Sequence, residues 1–344
     1  MAHGAEGFVM VASEYTVVVP AYNAEATLEA CLGALRAAEP APTEIILYDD
    51  GSTDATAEVA EAHGARVLTG EAAQAGPAVG RNAGITAART DRVVVVDADV
   101  VVEPDAPGRL VAEIGRDTVA SFGAYADAAR TRNLAGRYAN LRHHHTHATA
   151  PREAETFWSG LGAVDRDAFL SVGGFDEGFE RPCVEDVELG LRLRERGRIA
   201  ILPEARGHHL KDWTLAQLWH TDVFCRAVPW SAMMAQGRIP ATLNTDRTEQ
   251  IKSVLAHLVL LFALAALVVP IAGLVALGAL VAYLWMNRRF LALLARDSVV
   301  LAVAGAGLHL AYHLYASVTC TLVLAAHGLR ARLGRSPAAA RARA

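Results

Sequence analysis

The most informative segment of the chain is Arg92-Val93-Val94-Val95-Val96-Asp97-Ala98-Asp99-Val100. Its four consecutive valines predict a strand that is buried on both faces, because every side chain is apolar and β-branched. Two carboxylates follow, Asp97 and Asp99, which share a face if the backbone stays extended. Open α/β sheets bind ligands at the carboxyl ends of their parallel strands, and paired oxygen donors there suit Mg²⁺ or Mn²⁺ together with a diphosphate.

Strands and helices alternate in the residues that precede this segment. Apolar runs predict strands at 15–20, 44–48 and 65–68, with helices between them that include 24–38 and 78–89. This alternation predicts an α/β fold with a Rossmann-like, mostly parallel sheet. Beyond Glu103 the pattern is looser, with a strand predicted at 118–125 and a helix at 184–196.

Composition limits the class of protein. The chain has 344 residues and a formal net charge of −5, which gives no reason to expect a nucleic-acid partner. Its four cysteines are scattered without metal-ligand spacing, as expected of thiols in a reducing compartment. The first residues lack the basic and apolar regions of a secretory signal, so the α/β part is expected to stay in the cytosol.

Two uncharged runs in the last third of the chain predict transmembrane helices. They cover 253–287 and 298–329. A helix over the whole first run would be about 52 Å long, whereas the apolar core of a bilayer is about 30 Å thick. Pro270 and Gly273 interrupt this run, so a hairpin of two short spans and one long tilted helix both remain compatible with the sequence.

Arginines beside the runs predict their orientation. Arg288, Arg289 and Arg296 separate the two runs, and a basic tail follows the second. Because basic segments favour the cytosolic side, each run is expected to make an even number of crossings, or the second to re-enter. The total is then between about two and four crossings, and the expected location is the cell (inner) membrane, multi-pass, with the α/β domain in the cytoplasm.

Five motifs, in order along the chain, resemble those of the family-2 glycosyltransferases of the GT-A fold, in particular the membrane-anchored bacterial type. They are Val19-Pro20-Ala21-Tyr22-Asn23, Tyr48-Asp49-Asp50-Gly51-Ser52-Thr53-Asp54, Gly80-Arg81-Asn82-Ala83-Gly84, Asp97-Ala98-Asp99, and Gly173-Gly174-Phe175-Asp176 followed by Glu185-Asp186. The resemblance implies a GT-A nucleotide-diphospho-sugar transferase fold followed by transmembrane helices.

The resemblance also implies a division of the chain. The expected parts are an N-terminal tail (1–14), a nucleotide-sugar-binding half (15–125), an acceptor and catalytic half (126–212), an amphipathic interfacial segment (213–252), transmembrane helices (253–329) and a basic cytosolic tail (330–344).

For the metal, the resemblance implies that Asp99 is a ligand of Mg²⁺ or Mn²⁺, with Asp97 binding the ion or the ribose beside it. A divalent ion across the diphosphate neutralises the charge that builds on the leaving phosphate. One of His208 and His209, with His209 preferred, is expected to supply a further contact to the metal or the diphosphate; two polar loop residues are the alternative.

The same resemblance implies the other donor contacts. They are expected from Pro20, Tyr22, Asp49, Asp50 and Arg81. Ordinary turn and cap chemistry accounts equally well for Asp49 and Asp50 when the residues are taken alone.

The resemblance further implies that Asp186 is the catalytic base, which takes the proton of the acceptor hydroxyl in a single displacement with inversion. It stands at a predicted helix start, where the helix dipole lowers the pKa of a carboxylate, so burial or acidic neighbours must keep it basic. The alternative is that Glu185, Asp186 and Glu188 only complement the dipole. Glu185 is also expected on the acceptor side.

The downstream part is similar to cellulose-synthase-like and ceramide-glucosyltransferase-like enzymes, which carry a Gln-x-x-Arg-Trp motif on an interfacial helix. The nearest segment here keeps Arg226 and Trp230 but neither the glutamine nor the spacing. These two residues are expected on the acceptor side. The departure favours transfer of a single sugar to a lipid or lipid-linked acceptor over processive synthesis.

The expected partners are therefore a nucleotide-sugar donor, UDP-linked by preference, a lipid acceptor and the membrane. A membrane-anchored scaffold that binds nucleotide without transfer is a second hypothesis, against which the three carboxylates of Asp97, Asp99 and Asp186 argue. A nucleotidyltransferase is a third, but the glycine-rich, lysine-containing loop that it needs after the first strand is missing from the sequence. The histidines at 143–147 lack a partner pair at zinc spacing and are expected at the surface or the acceptor side.

Overall fold

A computed structural model describes residues 14–70, 74–128, 130–179, 182–239 and 246–333. The predicted N-terminal tail, apart from Glu14, and most of the predicted basic tail lie outside these ranges. The chain forms two compact units. The first contains the described residues up to Ala126 together with His147–Leu210, and the second contains Asp127–Thr146 and the described residues from Lys211 onwards.

The first unit, in its described part, is built on one sheet of nine strands. These strands are β1 (Thr16–Ala21), β2 (Glu44–Asp49), β3 (Arg66–Thr69), β4 (Arg92–Val96), β5 (Val100–Val102), β6 (Thr118–Tyr125), β7 (Glu153–Ala154), β8 (Leu161–Asp165) and β9 (Arg198–His209). Their order is β3-β2-β1-β4-β8-β6-β9-β5, and β7 pairs with β9.

Strand direction divides this sheet into two halves. Strands β3, β2, β1 and β4 pair in parallel, as the alternating pattern predicts. In the other half, β8 is antiparallel to both β4 and β6, and β5 is antiparallel to β9. The α/β fold is confirmed, but the sheet is mixed rather than mostly parallel, because an apolar run predicts a strand without giving its direction.

Helices cover both faces of the parallel half. The helices that precede β9 are α1 (Glu25–Arg36), α2 (Thr56–Ala62), α3 (Pro77–Ala87), α4 (Ala106–Glu113), α5 (Leu134–Ala148), α6 (Arg166–Ser171) and α7 (Glu185–Leu193). Helix α5 belongs to the second unit up to Thr146.

The valine run lies at the centre of this arrangement. Val93 and Val95 pack into the core that contains Ile85 of α3, whereas Val94 and Val96 pack into the core on the side of α1. All four valines are fully buried. The predicted burial of β4 on both faces is therefore confirmed.

The second unit is helical. After β9 follow α8 (Leu215–His220), a π-helical turn (Thr221–Ala227), α9 (Val228–Ala235), α10 (Arg247–Ala265), α11 (Ala272–Met286), α12 (Arg288–Asp297) and α13 (Val299–Arg332). Among the described residues, α10 and α13 are long and apolar enough to cross a membrane. Helices α11 and α12, bent by 71° at their junction, make a third candidate if the pair counts as one span.

The two predicted runs behave differently. In the first run, α10 ends at Ala265 and α11 begins at Ala272, with Pro270 between them, so the helices form the hairpin that the sequence allowed. The second run forms one unbroken helix, α13. The alternative of re-entry in this run is therefore wrong, whereas the number of crossings stays a prediction. Without a proline, nothing interrupts the helical hydrogen bonds of α13.

Candidate active site

The loops after β1 and β2 are joined at the carboxyl edge of the sheet. Asn23, whose φ is +48°, accepts the Thr53 N–H at 2.8 Å and donates its own N–H to Ser52 Oγ at 2.9 Å. Asp49 Oδ1 accepts the Ser52 N–H at 3.0 Å, which is a turn bond. Tyr22 is 43% exposed, so its ring is accessible to a ligand at this edge.

Asp50 holds the connection between β3 and α3. Its two carboxylate oxygens accept the N–H groups of Ala75 at 2.8 Å and Gly76 at 2.9 Å. These bonds favour the turn interpretation of Asp50 over a contact to the donor. Pro20 lies in β1 opposite Tyr48, near the same edge of the sheet.

The backbone between Asp97 and Asp99 is not extended. Strand β4 ends at Val96, and the Val100 N–H donates to the Asp97 carbonyl at 3.0 Å, which closes a turn. The expectation that the two carboxylates share a strand face is therefore wrong, and each has its own partner. Asp97 Oδ1 accepts from Arg81 at 2.8 Å, and Asp99 Oδ2 lies 3.2 Å from the imidazole of His209.

Strand pairing brings His209 to Asp99. In the antiparallel pair of β5 and β9, Val100 lies opposite His209, and the Leu210 N–H donates to the Asp99 carbonyl at 2.8 Å. The His209 ring stacks on Tyr125, with ring centroids 4.7 Å apart. Backbone pairing and ring stacking therefore fix the position of the imidazole.

The same register separates the two candidate histidines. Adjacent residues on a strand point to opposite faces, and His208 Nε2 lies 4.0 Å from Glu103. The Asp99–His209 pair could supply two ligands to a Mg²⁺ or Mn²⁺ ion, whose other ligands would have to come from outside the pair. Within the described residues, no group of three or more His, Cys, Asp or Glu side chains is placed to hold a metal ion by itself.

Arg81 of α3 connects the motif Asp97-Ala98-Asp99 with the motif Glu185-Asp186. Its Nη2 donates to Asp97 and its Nη1 donates to Glu185, each at 2.8 Å. Its side chain is only 5% exposed, and the guanidinium carbon lies 5.5 Å from the ring centroid of Phe175. Both of these ion pairs of Arg81 are thus to protein carboxylates, although the resemblance implied a contact to the donor.

The first turn of α7 carries Asp186. The carboxylate accepts the N–H groups of Val187 at 2.8 Å and Ser159 at 3.3 Å. Burial, followed by the negative charge of Glu185, raises the pKa of Asp186 to about 7, although Arg81 and the backbone donors act in the opposite direction. Burial and an acidic neighbour, which a carboxylate at a helix start needs in order to stay basic, are therefore both present at Asp186.

The glycine turn that precedes α7 is attached to α3. Gly173 and Gly174 adopt φ values of +85° and +71°, which favour glycine. Asn82 Oδ1 accepts the Phe175 N–H at 2.8 Å, and its Nδ2 donates to the Phe175 carbonyl at 2.9 Å. The motifs Gly80–Gly84 and Gly173–Asp176 thus belong to one hydrogen-bonded assembly.

Arg226 and Trp230 lie in the second unit. Arg226 is about half exposed and pairs with Asp222 at 3.1 Å. Asp222 is fully buried and accepts two bonds from Arg142 of α5, at 2.8 and 2.6 Å, and one from the Tyr315 hydroxyl at 2.7 Å. Although burial raises the pKa of Asp222, Arg142 and then Arg226 hold it at about 2.

Sequence reasoning missed the Asp222–Arg142 pair because its members are far apart in the chain. The one available signal was an acidic residue inside an otherwise aromatic, amphipathic segment. For the histidines at 143–147, the structure contradicts the surface placement of two members, and the acceptor-side placement stays a prediction. His144 and His147 are buried, and His147 Nδ1 lies 3.0 Å from the Gly123 carbonyl.

The fold and the site define the class of protein. A mixed α/β sheet that presents acidic loops at the carboxyl ends of its parallel strands is that of the GT-A glycosyltransferases. The mannosyltransferase PcManGT from Pyrobaculum calidifontis aligns with a TM-score of 0.50 and 18% identity, over 90% of this chain and 87% of that chain. At this identity, the likeness establishes the fold alone.

Sequence comparison then identifies the family of this domain. Residues 16–173 match the model of glycosyl transferase family 2, so the chain contains a domain of this family. An uncharacterised glycosyltransferase of Mycobacterium tuberculosis is 39% identical over 107 residues, which cover 31% of this chain and 46% of that protein. The succinoglycan biosynthesis protein ExoU of Rhizobium meliloti is 33% identical over 129 residues, 36% of this chain and 37% of that protein. The chain thus spans less than half the length of these relatives.

Proposed function

We propose that this chain is a membrane-bound, inverting, metal-dependent glycosyltransferase that moves a sugar from a nucleotide-diphosphate donor to a lipid or lipid-linked acceptor. The observation that carries the proposal is the Asp99–His209 pair, in the same unit as an Asp186 carboxylate with a pKa raised to about 7. The pair suits a metal at the leaving diphosphate, and Asp186 suits the incoming hydroxyl.

In this reaction, Asp99 and His209 would hold the Mg²⁺ or Mn²⁺ ion, which when bound would supply positive charge to the leaving diphosphate. Asp186 accepts the proton of the acceptor hydroxyl while the hydroxyl oxygen forms its bond to the anomeric carbon. The bond from that carbon to the diphosphate oxygen breaks, and its electron pair leaves with the nucleoside diphosphate. Attack opposite the leaving group inverts the anomeric centre.

The donor proposed first is UDP-linked, as the family resemblance implies. PcManGT, which shares the fold, was solved with GDP-Man and Mn²⁺, so a GDP-sugar is the second candidate. Tyr22 offers an exposed ring on which a nucleotide base can stack. Asp49 and Pro20 lie at the same edge of the sheet, with Asp49 engaged in its turn bond to Ser52.

The surface of the second unit supports a lipid acceptor. Leu267 and Val268 in the connection between α10 and α11 are 82% and 84% exposed, and Val299 and Val303 of α13 are 73% and 71% exposed. Large apolar side chains exposed over successive helices are stabilised by lipid rather than by water. Glu185, Arg226 and Trp230 stay proposed acceptor-side residues, of which Arg226 is the most accessible.

The proposed location is the inner membrane, with the catalytic unit in the cytoplasm. The support is the exposed face of α12, which carries Arg288, Arg289 and Arg296, because arginines beside membrane spans favour the cytosolic side.

The test is nucleotide-sugar turnover by the detergent-solubilised full chain. UDP-, GDP- and TDP-sugars would be supplied with Mn²⁺, Mg²⁺ or EDTA, with and without a membrane lipid extract, and Asp186→Asn would serve as the inactive control. Metal-dependent release of one nucleoside diphosphate, stimulated by lipid, is expected. Nucleotide binding without release would instead identify a scaffold, and release of pyrophosphate would identify a nucleotidyltransferase.

A further inference from the structure

The geometry points to Arg81 as a positioning residue that fixes the catalytic base relative to the metal motif, rather than as a contact to the donor nucleotide. The inference rests on the proposed function, because it assigns Arg81 a role within the same site.

Both ends of the bridge made by Arg81 are held by the protein. On one side, Glu185 Oε1 accepts from Arg81, while Glu185 Oε2 accepts the Cys183 N–H at 2.7 Å. On the other side, Asp97 begins the turn that contains Asp99 and is closed by the bond from the Val100 N–H to the Asp97 carbonyl. The guanidinium thus links Glu185, the neighbour of the proposed base, to Asp97, which lies two positions before the proposed metal ligand.

The helix that carries Arg81 packs closely on the sheet. A Cβ atom added at Gly80 would lie 2.8 Å from the Tyr48 ring, and one added at Gly84 would lie 2.3 Å from a Val18 methyl group. Glycine at these two positions lets α3 approach the sheet more closely than other residues allow. This close packing of α3 on the sheet determines how far the Arg81 side chain extends into the site.

The Arg81 side chain has little surface that a nucleotide could contact, because it is only 5% exposed. The two Nη atoms are used by the ion pairs, and Nε is buried, without a hydrogen-bond partner among the described residues. Phe175 covers the group at 5.5 Å, and Asn82 holds the backbone of Phe175 in place. In this role, the motif Gly80–Gly84 positions other residues of the site instead of binding the nucleotide.

Charge adds a second consequence. Asp186 faces two charged side chains, the neighbouring Glu185 and the cation of Arg81, besides the N–H groups of Ser159 and Val187. Glu185 raises and Arg81 lowers the pKa of Asp186. Removing one charge or the other should shift the acid limb of the pH profile in opposite directions, which a purely structural role would not do.

The experiment compares Arg81→Gln, Arg81→Lys and Glu185→Gln with wild type, and uses the exposed Arg89→Gln as the matched control. Kinetics would be measured with the nucleotide sugar that wild type turns over, and binding with the matching nucleoside diphosphate and Mn²⁺. For Arg81→Gln we expect kcat to fall at least about tenfold while the Kd of the nucleoside diphosphate changes less than about threefold. Arg81→Lys should restore part of the rate.

The acid limb should move to higher pH in Arg81→Gln and to lower pH in Glu185→Gln. A tenfold or larger rise in Kd or KM with unchanged kcat in Arg81→Gln would show a donor contact and overturn the inference. If Arg81→Gln fails to fold, Glu185→Gln carries the test alone, and an unchanged kcat and acid limb in that variant would contradict it.

Failure of the proposed function would be seen separately, as a wild-type chain that turns over no nucleotide sugar. In that case the binding arm still decides the role of Arg81. An unchanged Kd in Arg81→Gln supports positioning, and a tenfold weaker Kd assigns a nucleotide contact.

Discussion

Asp99 Oδ2 lies 3.2 Å from His209 Nε2, although the two residues belong to segments far apart in the chain. The antiparallel pairing of β5 with β9 creates this approach and also turns His208 away from it. A carboxylate and an imidazole at this separation could together receive a divalent ion that also binds a diphosphate.

The first prediction concerns the metal. Asp99→Ala should lower kcat by at least about a hundredfold, because the leaving diphosphate loses charge stabilisation worth several kcal/mol, at about 1.4 kcal/mol per tenfold. His209→Ala should raise the Mn²⁺ concentration required for half-maximal turnover by about ten- to a hundredfold. His208→Ala is the matched control and should behave as wild type. Equal effects in the two histidine variants would refute the assigned pair.

The second prediction concerns the base. Asp186→Asn should reduce kcat by about 10²- to 10⁴-fold, since an amide cannot accept the proton of the acceptor hydroxyl. The Kd of the nucleoside diphosphate, measured by calorimetry, should stay near that of wild type. Asp167→Asn, the same change at an exposed position of α6, is the control. Wild-type turnover in Asp186→Asn would exclude Asp186 as the base.

The third prediction is a pH profile. The pKa of Asp186 is about 7, so the fraction of ionised base falls below this pH, and log kcat should drop by about one unit per pH unit. Above pH 7 the acid limb should level off. A profile that stays flat down to pH 5 would mean that another group takes the proton.

The fourth prediction follows from the same pKa but concerns stability. The folded-state pKa of about 7 exceeds the ordinary value of 3.8, so the native chain retains a proton that the unfolded chain releases between these values. Asp186 therefore destabilises the fold increasingly as pH rises through this window. Asp186→Asn should have a higher Tm than wild type at pH 8, but not at pH 4, in thermal scans of the full chain.

The fifth prediction concerns the second unit. Asp222→Asn leaves the buried Arg142 without a counter-charge, and breaking such a pair costs about 3–5 kcal/mol. A clear fall in Tm is therefore expected in detergent. Arg226→Gln removes the half-exposed partner of the same carboxylate, which is worth about 1 kcal/mol or less, and should have a small effect. Equal losses of Tm would show that the buried pair is not the stabilising element.

Local residue chemistry predicts much of this protein. The β-branched run at 92–96 determines that β4 is buried on both faces, and the alternation around it predicts the parallel half of the sheet. Residues that belong to one short sequence motif also lie close together in the structure. Local chemistry did not determine the conformation of the backbone between Asp97 and Asp99, because a two-residue spacing is compatible with both a strand and a turn.

The sequence by itself determined the α/β class, the family resemblance and the apolar helices of the second unit, since composition and periodicity act over short distances. Tertiary structure alone decided that His209 and not His208 approaches Asp99, and that Arg81 bridges Asp97 and Glu185. It also paired Asp222 with Arg142. These relationships depend on strand register and helix packing between segments far apart in the chain, which no local pattern of residues encodes.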